Sequence, residues 1–354
     1  MNRPIGARLF IDENPLELEY GGHFPRLEIA YETWGRLSQR RDNAILVAPA
    51  FSGHSHAAAH DGDPSPGWWE GMIGPKLAFD TDKYFVICSS LLGASFGTTG
   101  PRTLDPDGQA WGHRFPVVSI QDISDVQMRL VDHLGIERLH AVAGGSMGGM
   151  ISLDLGIRYP ERVERVLSAS ATDRTRPYTA AIRHLGRRAI MLDPGYGTPD
   201  GPSSGLALAR EIGTLFYRSR DEFNQRFRWQ PLQTPQFGEV TFDVQSYLRH
   251  QGTKILGSFD ANAYMTLSMA MDLHDIWRNF PSREAALEPV EAEFLIIGVD
   301  ADRLIPIDEQ EWLHHALLTA GKRSHWRPIS SHIGHDTFLV DLDHMTKLTR
   351  ELLA

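Results

Sequence analysis

Cysteine is nearly absent from this chain. Cys88 is the single one in 354 residues, so no internal disulfide can form and a disulfide-stapled scaffold is excluded. Positive charge is also short: 35 Lys and Arg stand against 45 Asp and Glu, a formal net charge of −10. Nucleic acid and anionic membrane surfaces both need a basic footprint, so neither is expected as a partner. No run approaches the roughly 20 consecutive apolar residues that a membrane helix needs. Residues 1–8 are not followed by an apolar stretch of signal-peptide length. Fixed-period repeats and low-complexity tracts are missing too. What remains is an ordinary globular composition, 42% hydrophobic and 23% charged, which excludes disorder and fibrous structure. The length fits about two domains, or one large α/β domain with an insertion, and a cytoplasmic location is the simplest expectation.

The first half alternates short apolar runs with amphipathic ones. Residues 44–48, 84–88, 139–143 and 165–169 read as strands, and 293–298 as a fifth. Between the second and third, Ile123, Val126, Leu130, Val131 and Leu134 fall at helical spacing within 120–134. Continuous apolar strands separated by helices indicate a parallel sheet covered on both faces. Residues 175–289 lack such a clean strand. They hold helical segments at 178–192, 205–217 and 264–277 and a loop-rich part at 193–205. The expected organisation is therefore a core made of 1–174 and 290–354, with 175–289 as a helical lid inserted over the top of the sheet.

Gly144-Gly145-Ser146-Met147-Gly148 matches G-x-S-x-G. The pattern alone is weak, but here it follows a strand-like run and precedes a plausible helix at 150–157. A strand, a tight turn and a helix hold the serine in strained backbone, and the helix start aims amide groups at whatever it attacks. A serine at its normal pKa is a poor nucleophile, so it needs a histidine held by a carboxylate, in the chain order Ser, acid, His for such a fold. Downstream stand Asp302, with Asp300 as its rival, in the loop after the fifth strand, where open α/β sheets place functional groups. His335, with His332 as its rival, follows a possible last strand at 326–329. The expected oxyanion donors are the Met147 amide and an amide from the loop after residue 48, for which Phe51 is the best choice. His54, Ser55, His56, His60, Asp61 and Asp63 follow in that region, but their spacing fits no zinc signature, and no metal is expected.

Several longer motifs now combine. Gly144 to Met150, Pro66-Gly67-Trp68-Trp69-Glu70, Asp80-Thr81-Asp82-Lys83-Tyr84-Phe85, Gly97-Thr98-Thr99-Gly100-Pro101, Asp260-Ala261-Asn262-Ala263-Tyr264 and Gly334-His335-Asp336-Thr337-Phe338 resemble the homoserine O-acetyltransferase family of the α/β-hydrolase superfold. The resemblance runs from about residue 31 to 339. It implies a mostly parallel central sheet with helices on both faces and an inserted helical lid, often in a homodimer. It also implies transfer of a short acyl group from acyl-CoA, as co-substrate and without another cofactor, to a small hydroxy amino acid through an acyl-serine. Carried over residue by residue, Ser146 is the nucleophile, Asp302 the orienting acid and His335 the base. Arg210 and Asp336 are then the acceptor's carboxylate and ammonium sites, which suits a zwitterion.

Two departures bear on substrate. The oxyanion loop reads Ala50-Phe51-Ser52-Gly53-His54-Ser55, where acetyl-transferring members usually have Ala-Leu-Thr-Gly. Early in the lid, Ala181-Ile182-Arg183, with Arg187 and Arg188 after it, resembles the serine O-succinyltransferase branch. An arginine in a dry acyl pocket would pair with the free carboxylate of a succinyl group, whereas an acetyl group would leave it uncompensated. This reading inclines toward succinyl-CoA, with Arg183, Ser52, Gly53, His54 and Ser55 setting acyl specificity. Binding of coenzyme A phosphates by Arg183, Arg187 and Arg188 is the alternative. The acceptor stands between homoserine and serine. Fold and catalytic groups alone also allow an esterase or thioesterase.

Overall fold

The computed structural model describes residues 3–198, 201–238 and 240–354. Its centre is an eight-stranded sheet. The strands are β1 (Arg8–Asp12), β2 (Leu27–Trp34), β3 (Ala44–Ala48), β4 (Phe85–Ser89), β5 (Ala141–Gly145), β6 (Arg165–Ala169), β7 (Glu293–Val299) and β8 (Ser324–Ile329). They lie in the order β1-β2-β4-β3-β5-β6-β7-β8. Only β1 and β2 pair antiparallel to their neighbours, and the remaining pairs are parallel.

Parallel strands need both faces covered, and the apolar runs supply both at once. On β3, Leu46 joins one core cluster while Ile45 and Val47 join the other. On β5, Val142 faces the first and Ala141 and Ala143 the second. Helix α1 (Ile120–His133) starts at a capping box, Ser119 accepting from the Asp122 amide and Asp122 accepting from the Ser119 amide. It packs on α2 (Met147–Arg158) over the first face.

The antiparallel edge, β1 and β2, was not expected. β2 alternates only in part, Leu27, Ile29 and Tyr31 facing one core cluster while Ala30, Glu32 and Trp34 are buried on the other side. The third expected strand is shifted: β5 runs through Gly144 and Gly145 rather than ending before them, so the sheet delivers the chain directly to Ser146.

Between β6 and β7 lie α3 (Pro177–Leu192), α4 (Ser203–Tyr217), α5 (Arg220–Arg226), α6 (Asp243–Leu256), α7 (Ala261–Asp272) and α8 (Arg283–Leu287). None of the eight sheet strands falls in this stretch. The helix expected at 264–277 begins earlier, where Asp260 caps the Asn262 and Ala263 amides, and stops at Asp272. Residues 199–200 of the expected loop at 193–205 lie outside the described residues. Entry to and exit from the insertion adjoin: Thr175 N–H donates to His274 O at 3.0 Å and Ile276 N–H to Asp173 O at 3.0 Å. The chain closes with α9 (Ile307–Thr319), α10 (Thr337–Val340) and α11 (Leu342–Leu353), the last packing beneath the second face.

Candidate active site

Ser146 sits on the bend between β5 and α2 with φ 56° and ψ −123°, a region that a non-glycine residue occupies only under strain. The bend requires small neighbours. A Cβ on Gly148 would lie 2.1 Å from Ala48 O, and one on Gly144 2.4 Å from the Gly148 carbonyl carbon. The glycines of the motif therefore let two backbone segments touch, and the serine is lifted above the sheet.

His335 Nε2 lies 2.8 Å from Ser146 Oγ, and His335 Nδ1 lies 2.7 Å from Asp302 Oδ2. The other oxygen of Asp302 accepts from the Leu304 and Ile305 amides, each at 2.9 Å. The carboxylate is thus fixed by backbone while it holds the imidazole. All three residues are buried. Burial opposes charge on His335, but Asp302 outweighs it through charge and hydrogen bond, so the His335 pKa is raised. The rivals are elsewhere. Asp300 accepts from Ser330 Oγ at 2.7 Å and from the Ser331 amide at 3.0 Å. His332 is exposed and offers its carbonyl to the Ser219 hydroxyl.

A cavity opens on Ser146 and His335. Phe51 and Ser52 line it, as do Arg183, Arg210 and Asp336. The Phe51 ring is packed edge-on to Tyr264 at 5.0 Å, which fixes the loop beside the serine. Met147 opens α2, so its amide belongs to the helix's unsatisfied first turn. Gly53, His54 and Ser55 do not line this cavity, contrary to expectation. Gly53 closes a turn onto Ala50 O at 2.8 Å; His54 O accepts from Trp68 Nε1 at 2.8 Å; Ser55 Oγ turns away to Glu32 at 2.7 Å. The chain reverses after Ser52, which points the next residues back into the core.

The surroundings of Arg183 also differ from expectation. Arg183 is buried, but it is not unpaired. Its Nε lies 2.6 Å from Asp272 Oδ1, and a terminal nitrogen donates to Thr175 Oγ1 at 2.8 Å. Arg187 holds the other oxygen of Asp272 at 2.5 Å. Asp272 is thus shared by two guanidiniums, which leaves the cluster one net positive charge, and the two arginines tie α3 to α7. Arg188 is exposed. Asp272 lies 89 residues from Arg183, so no local pattern signals the pair.

Arg210 and Asp336 both line the cavity wall. The Arg210 guanidinium stands 5.3 Å over the Tyr217 ring. Asp336 meets a partner that the sequence did not signal: Arg218 Nε, at 3.1 Å. Burial raises the Asp336 pKa, and Arg218, His335 and Arg210 pull it back only in part.

A strained serine at a strand-to-helix bend, an imidazole and a fixed carboxylate, raised above a mainly parallel sheet, define a serine enzyme of the α/β-hydrolase class. The sequence profile described as alpha/beta hydrolase fold matches residues 43–323. A homoserine O-acetyltransferase of Deferribacter desulfuricans is 40% identical over 349 residues, 95% of this chain and 92% of that protein. A serine O-succinyltransferase of Emericella nidulans is 36% identical, over 97% and 80% of the respective chains. Among solved structures, a homoserine O-acetyltransferase from Bacillus anthracis superposes with a TM-score of 0.91 at 31% identity, covering 98% of this chain and 97% of that one. Esterase E22 superposes with a TM-score of 0.90 at 28% identity, covering 98% and 99%. The chain belongs to the homoserine O-acetyltransferase family of the α/β-hydrolase fold, and it is an acyltransferase. No helix among the described residues is long and apolar enough to cross a membrane.

Proposed function

We propose that this enzyme moves an acetyl group from acetyl-CoA to the side-chain hydroxyl of homoserine, by way of an ester on Ser146. The observation that carries the reading is the Ser146–His335–Asp302 relay facing a cavity with an arginine and a carboxylate on its wall. The cation and anion suit the two ends of an amino acid.

His335 takes the Ser146 proton, and Ser146 Oγ attacks the thioester carbonyl. The Met147 and Phe51 amides stabilise the oxyanion, each worth about 10²–10³ in rate. The C–S bond breaks, His335 returns the proton to the thiolate, and coenzyme A leaves. The acceptor hydroxyl, placed by Arg210 and Asp336, then gives its proton to His335 and attacks the acyl-serine. The new ester departs as Ser146 recovers its proton.

Acetyl is preferred over succinyl because the chain is 40% identical to a homoserine O-acetyltransferase and 36% identical to a serine O-succinyltransferase, and Arg183 is already held by Asp272. Hydrolysis is the second reading, and the likeness to esterase E22 favours it. Release of coenzyme A from acetyl-CoA and succinyl-CoA, each with homoserine, with serine and with no amino acid, separates the readings. Acetyl-CoA with homoserine should be fastest. Release that ignores the amino acid would establish a hydrolase, and faster succinyl-CoA would reassign the donor.

The acceptor site has its own test. Arg210→Ala should raise the acceptor KM by roughly 10- to 100-fold, the loss of a charge-assisted hydrogen bond. The acyl-CoA KM should stay within about twofold by the same reasoning, since the donor has no carboxylate at this position. An unchanged acceptor KM would move the carboxylate site elsewhere.

A further inference from the structure

A second buried polar cluster lies beneath the loop that carries Phe51, and the steps above do not use it. Its centre is Glu32 on β2, whose side chain is wholly removed from solvent. Oε1 accepts from Ser55 Oγ at 2.7 Å. Oε2 lies 2.7 Å from both His56 Nδ1 and His60 Nε2. Ser55 N–H donates to Ser90 Oγ at 3.0 Å. One turn, Gly53 N–H to Ala50 O, connects this anchored stretch to Phe51.

A glutamate and two histidines at this spacing resemble a cation site. The ring protons say otherwise. Gly62 N–H donates to His60 Nδ1 at 3.0 Å, so that nitrogen bears the lone pair. His60 Nε2, 2.7 Å from Glu32, then carries a ring proton. His56 Nε2 lies 2.7 Å from the Ser65 carbonyl, which can only accept, so it carries a proton. His56 Nδ1 faces a carboxylate oxygen, which also only accepts, so it carries another. His56 is therefore an imidazolium. The other groups facing it are Asp63, whose Oδ2 is 3.9 Å from Nδ1, and the rings of His54 and His60. Burial disfavours the charged ring, yet the hydrogen bond to Glu32 prevails and the His56 pKa is raised.

We propose that Glu32 and His56 are positioning residues: their buried carboxylate–imidazolium pair anchors the loop at 50–56 and aims the Phe51 amide at the Ser146 oxyanion. This rests on the proposed role of Phe51 as an oxyanion donor. Displacing a reacting group by about 1 Å can cost on the order of 10²-fold in rate.

The test uses the full-length protein. Rapid mixing with acetyl-CoA, followed by mass measurement of acyl-Ser146, gives the acylation rate. Glu32→Ala should slow it by roughly 10- to 100-fold, with the acceptor KM changed less than about twofold. Should Glu32→Ala not fold, Ser55→Ala removes a single anchoring bond and should slow acylation by about fivefold, the cost of one modest hydrogen bond. Nitrogen-15 spectra of the histidines, assigned with His56→Gln and His60→Gln, should show both His56 nitrogens protonated at neutral pH and only Nε2 of His60. Acylation at the parent rate in whichever of Glu32→Ala and Ser55→Ala folds, a neutral His56, or stoichiometric zinc binding lost in His60→Gln would each overturn the proposal. A parent protein that never acylates would instead defeat the transferase reading, and with it the role given to the pair.

Discussion

A Ser146→Ala protein will melt as the parent does and transfer no acyl group at a measurable rate. The side chain makes no helix cap, and its polar contact is with His335, so alanine leaves the bend and its neighbours in place. Alanine at φ 56° is no more strained than serine there. The chemical loss is total for the covalent route. In a relay whose parts act as a unit, deleting the nucleophile costs about 10⁶-fold, because the oxyanion donors and binding alone supply the residue of catalysis. Coenzyme A release, the mass of the acylated protein and a thermal melt measure the two sides together. A folded variant that still turns over acyl-CoA would remove Ser146 from the reaction.

Asp302→Asn should be nearly as severe, at about 10⁴-fold in kcat, for a different reason. Asparagine can keep the Leu304 and Ile305 amides satisfied with its carbonyl. Its NH₂ group then faces His335 Nδ1, which must become an acceptor, and the ring proton moves to Nε2. A base with its proton already in place against Ser146 cannot take another. The pH profile gives a second signature. His335 works as a base only when neutral, and its pKa is raised above the ordinary 6.5 by Asp302 against the opposition of burial. In the parent, kcat/KM should therefore rise with pH through a limb above 6.5. In the variant the charge is gone and burial remains, so the residual limb should fall to lower pH. A limb that stays put would mean that another group controls the acidic side.

How much was legible beforehand varies by residue. Ser146 announced itself because its requirements are local: a strand, a helix and glycines within a few positions. The continuous apolar run 44–48 and the mainly apolar run 165–169 matched β3 and β6 residue for residue, because burial on both faces leaves a mark in the string itself. Choosing Asp302 over Asp300 rested on the family resemblance. The structure separates them by backbone: Asp302 turns inward onto the Leu304 and Ile305 amides, while Asp300 turns to the Ser330 loop. Arg183 lines the cavity as a specificity residue would, but its pairing with Asp272 left no local mark in the sequence.

The string of residues by itself determined a parallel α/β core, the site of the sharp bend and the chain order of serine, acid and base. Those follow from periodicity, from glycine's small size and from chemistry that needs particular side chains. Tertiary structure alone decided which charges meet: Arg183 with Asp272, Asp336 with Arg218, Glu32 with His56. Charge pairing acts between atoms a few ångströms apart, whatever their separation in sequence. The partners of a buried ion are therefore chosen by the packing of strands and helices that only the folded chain brings side by side.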